Sequence, residues 1–182
     1  VMNEIIFRLV FIGLKNTSVA EYLCSVLTSR FVGSRCVYEF LDEVPRDYYD
    51  IRRRQYRADL LINFYAEFRD SENEIIVAVV NEDGYVPGLN FVFGLADPVS
   101  RVASVYLKRL YKLPDLVDDT FIGRLRKEII HEIGHVLGLG HCRDPRCVMS
   151  FSNSIFEVDY KTDLFCSKCL AILIKKGVEI RQ

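Results

Sequence analysis

The chain contains no tryptophan, and its three histidines all fall within one stretch of eleven residues. It has no excess of either charge: 24 Lys and Arg stand against 25 Asp and Glu, a formal net charge of −1. A polyanionic partner calls for a basic face, so this balance argues against nucleic acid and against an anionic membrane surface. No apolar run reaches the length of a membrane span. The opening VMNEIIFRLVFIGLK is apolar but is interrupted by Glu4 and Arg8, and no small-residue cleavage site follows, so it reads as a strand and not as a signal peptide. The expected location is therefore the cytoplasm, where thiols seldom pair. On that reading the six cysteines are mostly reduced, and the isolated Cys24 and Cys36 are ordinary buried thiols. There is also no repeat, no low-complexity tract and no long Pro/Gly/Ser linker. One domain over residues 1–182 is expected, as a monomer, with 142–182 as a C-terminal subdomain.

What is present suits a globular core: half the residues are hydrophobic, with 10 Tyr and 12 Phe. Strands are predicted at Glu4–Ile12, Arg35–Leu41, Glu74–Val80, Asn90–Ala96 and Arg101–Leu107. Helices are predicted at Asn16–Ser29, Asp47–Arg69 and from Asp118 or Asp119 to about Leu137, with a short one at Cys166–Lys176. Helices and strands alternate at first and the strands then cluster, which predicts an α/β (α+β) fold with a mixed twisted sheet packed by helices. Arg52, Arg53, Arg54 and Arg57 fall on the second of those helices, where a solvated face is a better reading than a phosphate site.

Residues 128–142 read EIIHEIGHVLGLGHC. A helix places His131 and His135 on one face, with Ile122, Ile129, Ile133 and Val136 opposite. Gly138 ends the helix at a sharp turn that can bring His141 back to the same point. Three neutral imidazoles leave a fourth tetrahedral position for water, the pattern of a catalytic zinc and not of a closed structural one. Glu132, beside the first histidine, is placed to take that water's proton and return it to a leaving amine. Peptide-bond hydrolysis follows as the expected chemistry, with an extended substrate along an edge strand. Gly94, Leu95 and Ala96 are candidates for that strand, though the same pattern also suits a sheet interior.

HEIGHVLGLGH resembles the metzincin signature of zinc endopeptidases. The resemblance implies a methionine turn beneath the metal, which Met149 would supply as an apolar floor and not as a ligand. Phe151 stands where some metzincins carry a tyrosine two residues after that methionine, so no phenol helps from there.

Cys142 directly follows His141, Cys147 comes five residues later, and Cys166 and Cys169 form a C-x-x-C pair. Four thiolates in two close pairs suit a structural zinc that ties the tail to the His141 loop. Two disulfides, or a redox-active Cys166/Cys169 pair, remain open on the sequence. The histidine string running straight into C-x4-C-x-M and a later C-x-x-C is similar to the archaemetzincin family, as is the upstream segment LNFVFGLADPVSRVASVYL. Sixteen residues separate Met149 from Cys166, one fewer than in the family pattern. The resemblance implies a compact metzincin-like fold, two zinc ions and activity on peptide or protein substrates, short peptides in particular. Two alternatives come from other classes. One is a metal-dependent endoribonuclease with a three-histidine site, against which Glu132 and the near-neutral charge both argue. The other is a catalytically weak zinc protein that binds peptides or a partner.

Overall fold

In a computed structural model, which describes residues 4–182, the centre of the molecule is Glu74–Val80, whose seven residues are all buried. A run of Ile, Val and Ala without polar alternation is what a parallel strand covered on both faces requires. In chain order the elements are β1 (Ile6–Ile12), α1 (Thr17–Arg30), β2 (Arg35–Leu41), β3 (Tyr49–Asp50), β4 (Gln55–Arg57) and α2 (Ala58–Ala66). They continue with β5 (Glu74–Val80), β6 (Gly84–Tyr85), β7 (Gly94–Asp97), β8 (Val102–Tyr106), α3 (Asp119–Val136), α4 (Ile155–Tyr160) and α5 (Ser167–Lys175).

The main sheet has the order β2-β1-β5-β8-β7. The first four strands are parallel, and β7 runs antiparallel to β8 at the edge. Alternate residues serve opposite faces of this sheet. Phe7, Leu9, Phe11, Ile75, Val77 and Val79 pack with α1 and α3. Val10, Ile12, Ile76, Ala78 and Val80 pack with α2. The mixed α/β class read from the sequence is the class observed. The first residues of the apolar start, 1–3, lie outside the described residues. Among the described residues no helix is long and apolar enough to cross a membrane.

Three expectations need correction. Residues 47–69 are not one helix: a 3-10 turn at Arg46–Tyr48 leads into the β3–β4 hairpin, and only Ala58–Ala66 is α-helical. Asp50 Oδ1 accepts from the backbone of Arg52 and Arg53, and Arg54 takes φ +55°, which makes a turn of the arginine run. The Arg53 guanidinium donates to Leu89 O and Asn90 O, so it anchors a neighbouring segment. The second correction concerns Cys24 and Cys36, which are half-buried and joined in a disulfide. The pairing of β1 with β2 carries Cys36 alongside α1, and the two Cα atoms stand 5.3 Å apart, within bonding range. Third, the region after His141 holds an unanticipated helix, α4. Its start carries the S-x-x-E pattern, and Glu157 Oε2 accepts from Ser154 N at 3.1 Å.

Candidate metal centres and cleft

The site is built on the last two turns of α3. Asp118 Oδ1 caps its first turn by accepting from Phe121 N at 2.8 Å. At the other end Gly138 takes φ +92°, and Leu139 N reaches back to Gly134 O. That reversal carries His141 to the open ends of His131 and His135, so that one nitrogen from each ring lies within 4.8 Å of the others.

The tautomers follow from the partners. His131 Nδ1 is 2.7 Å from Val148 O and His135 Nδ1 is 2.8 Å from Leu139 O. Carbonyls only accept, so each Nδ1 carries the proton and each Nε2 presents a bare lone pair. The two Nε2 atoms face each other at 3.0 Å. Two lone pairs at that distance repel, and a cation between them removes the repulsion. Burial pushes all three imidazoles below their ordinary pKa, His131 most of all, with Lys161 adding to the effect. Neutral rings with oriented Nδ1–H groups are the state in which histidine binds a metal.

Glu132 is buried beside these rings. Desolvation, helped by the Glu128 charge, lifts its carboxyl well above the usual range. Gly94 of β7 is what makes room for it: a Cβ there would lie 2.5 Å from Glu132 Oε1. Met149 is fully buried and packs against Gly134, the residue before His135. Phe151 sits against His141, with ring centroids 4.9 Å apart.

These groups line a cleft of about 760 Å³. Gly94, Leu95 and Ala96 line it from the edge strand, together with Val86 and residues 89–93. Phe151, Ser152 and Asn153 line it as well. Two cleft-associated groups were absent from the sequence reading. Glu128 lines the cleft and is paired at 2.8 Å with Lys161, which is almost wholly enclosed. Glu128 stands four residues before Glu132, so helical spacing alone could have found it. Lys161 carries no such signal, because it arrives from the end of α4.

The four remaining cysteines converge on a second point. Their sulfurs lie within 4.8 Å of one another, and all four are free. Cys142 and Cys166 Sγ are 3.7 Å apart, and Cys147 and Cys169 Sγ are 3.8 Å apart. Backbone N–H groups of Met149 and Cys166 point at Cys147 Sγ, and that of Asp144 at Cys142 Sγ. Burial raises the Cys147 and Cys169 thiols, so a cation is needed to hold them as thiolates.

An α3 helix with convergent imidazoles, over a mixed sheet whose antiparallel edge borders the cleft, defines a zinc metallopeptidase. The chain belongs to peptidase family M54, whose model matches residues 35–176. It is 44% identical over 137 residues to an archaemetzincin of Aeropyrum pernix, covering 74% of this chain and 73% of that one. It is 34% identical to an archaemetzincin of Saccharolobus solfataricus over the full length of both. The crystal structure of archaemetzincin from Methanopyrus kandleri superposes with a TM-score of 0.82 at 32% identity, covering 96% of each chain. Peptide hydrolysis is the chemistry for which this family is named.

Proposed function

We propose that the chain hydrolyses peptide bonds, short peptides in particular, at a zinc held by the Nε2 atoms of His131 and His135 together with His141, with Glu132 as general base. The observation that supports this most directly is the pair of lone pairs facing each other at 3.0 Å beside a buried carboxylate. Bound there, zinc polarises a substrate carbonyl and brings the pKa of a water from about 15.7 to about 7. Glu132 takes the proton of the attacking water and delivers it to the leaving nitrogen. Its burial excludes competing solvent, and Gly94 and the helix together hold the carboxylate in one place. The substrate lies extended along β7, which has β8 on one side only. Phe151 has no hydroxyl to offer the developing oxyanion.

Cys142, Cys147, Cys166 and Cys169 hold a second, structural zinc. Four thiolates close its coordination and staple the 142–182 subdomain to the loop bearing His141 and Met149. Met149 serves as the apolar floor of the site.

The deciding comparison uses zinc-loaded native protein and Glu132→Gln on a peptide library. Native protein should cleave, and the variant should keep two zinc ions while losing about 10²- to 10⁴-fold in turnover. Native-level turnover in the variant would remove Glu132 from the mechanism.

A further inference from the structure

The cleft is apolar over most of its surface, and no lysine or arginine lines it among the described residues. Among the described residues its only acidic side chains are Glu132 and Glu128. The chemistry above employs Glu132 and leaves Glu128 without a task. Glu128 lies one helical turn before Glu132, about 6 Å along the axis. Only 4% of its side chain is exposed, and its Oε1 is paired with Lys161 Nζ at 2.8 Å. Lys161 Nζ also donates to Ser150 O at 3.3 Å. Ser152, which lines the same cleft, has a buried Oγ with no hydrogen-bond partner among the described residues.

The arrangement has a direction. Glu128 lines the cleft and Lys161, with 1% of its side chain exposed, does not. An enclosed carboxylate without a counter-ion is costly. Lys161 meets that cost from behind and leaves the carboxylate as the group presented to the cleft. Stability alone does not call for such a pair, because apolar residues of the same volume usually serve as well. What the pair supplies, and apolar residues do not, is a carboxylate held at the cleft, with acceptor lone pairs beyond the one that Lys161 engages.

We propose that Glu128 is a specificity-determining residue that accepts a cationic nitrogen group of the peptide substrate, an ammonium or guanidinium, and that Lys161 is its positioning residue. This rests on the reading of the cleft as a peptide site. The cation comes either from a Lys or Arg side chain near the scissile bond or from the peptide's own N-terminus. An extended chain advances about 3.3 Å per residue, so a long side chain from a residue flanking the scissile bond spans the offset between Glu132 and Glu128.

The test is binding, measured by fluorescence anisotropy on zinc-loaded Glu132→Gln protein. The probes are labelled peptides that are apolar except for one Lys, Arg or norleucine, each made with a free or an acetylated N-terminus. Peptides that carry the recognised cation should bind about tenfold tighter than the acetylated norleucine peptide, which has none. Tighter binding of the free over the acetylated norleucine peptide assigns the cation to the N-terminus, and tighter binding of the acetylated Lys or Arg peptide over the acetylated norleucine peptide assigns it to the side chain. Adding Glu128→Gln should abolish the preference. Adding Glu128→Leu with Lys161→Met should abolish it too, and this second variant leaves no buried charge unpaired, so it stays measurable if the first fails to fold. Binding of the acetylated norleucine peptide equal to that of every other probe, no peptide binding at all, or a preference that survives the double replacement would overturn the proposal. Turnover by native protein separates this from the peptidase reading. Cleavage without a cationic preference removes Glu128 alone, and a cationic preference in binding without cleavage removes the catalytic reading alone.

Discussion

Replacing Gly94 by alanine tests how tightly the edge strand and the general base are fitted together. The added Cβ would lie 2.5 Å from Glu132 Oε1, 2.7 Å from Glu132 Cγ and 2.7 Å from the backbone oxygen of Ser104. It cannot retreat toward Ser104, because the β7–β8 pairing of Gly94 with Val105 and Leu95 with Ser104 fixes that backbone. Glu132 must therefore move, and restoring an ordinary contact takes a shift of about 0.9 Å. A misplacement near 1 Å costs about 10²-fold in rate, and overpacking a tight contact costs about 1–3 kcal/mol of stability. Zinc content should stay unchanged, since no ligand is touched. Steady-state kinetics on a cleaved peptide, metal analysis and urea unfolding measure the three quantities. Gly123→Ala is the control: nothing lies within 4 Å of its Cβ position on α3, so it should leave turnover intact and gain up to about 1 kcal/mol of helix stability. Native turnover in Gly94→Ala would refute the claim that this glycine sets the position of Glu132.

Cys166→Ser with Cys169→Ser should lower bound zinc from two ions per chain to one and make the tail susceptible to proteolysis. Unchanged metal content would dispose of the second site. Cys24→Ser with Cys36→Ser opens a loop of sequence separation 12 and should cost up to about 3 kcal/mol in urea unfolding. An intact mass showing both thiols free in the native protein would contradict the bond itself. Arg124 donates to both oxygens of Asp159 at 2.7 Å and holds its carboxyl below the ordinary 3.8. A depressed folded pKa gives stability that is complete above the unfolded value and lost as pH falls through the folded one. Asp159→Asn should therefore be less stable than native protein at neutral pH, and the two unfolding curves should converge as pH drops below 4. A gap that persists unchanged into acid would mean that the ion pair contributes nothing.

Much of the site was legible in the chain because its information is local. His131, Glu132 and His135 sit on one helix face by the 3.6-residue period, Gly138 marks the turn, and the next residues supply His141 and Cys142. Strand β5 was equally plain, being an apolar run bounded by turn residues. The misread parts depend on partners far away in sequence. In residues 47–69 the hairpin is anchored by Arg53 and Gln55, which donate to the carbonyls of Leu89 and Asn90 well beyond the segment. The Cys24–Cys36 bond exists because α1 and β2 lie side by side, a fact of packing and not of spacing.

The residues of the two candidate metal centres and the mixed α/β class were thus determined by the sequence alone, since they follow from periodicity and short-range motif geometry. Tertiary structure decided what surrounds them. It set Gly94 against Glu132, tied His131 to the carbonyl of Val148, and put Lys161 behind Glu128. Those are long-range contacts between elements whose own patterns are indifferent to one another. Only the closed core, which brings β7, α3 and the segment after His141 together, specifies them.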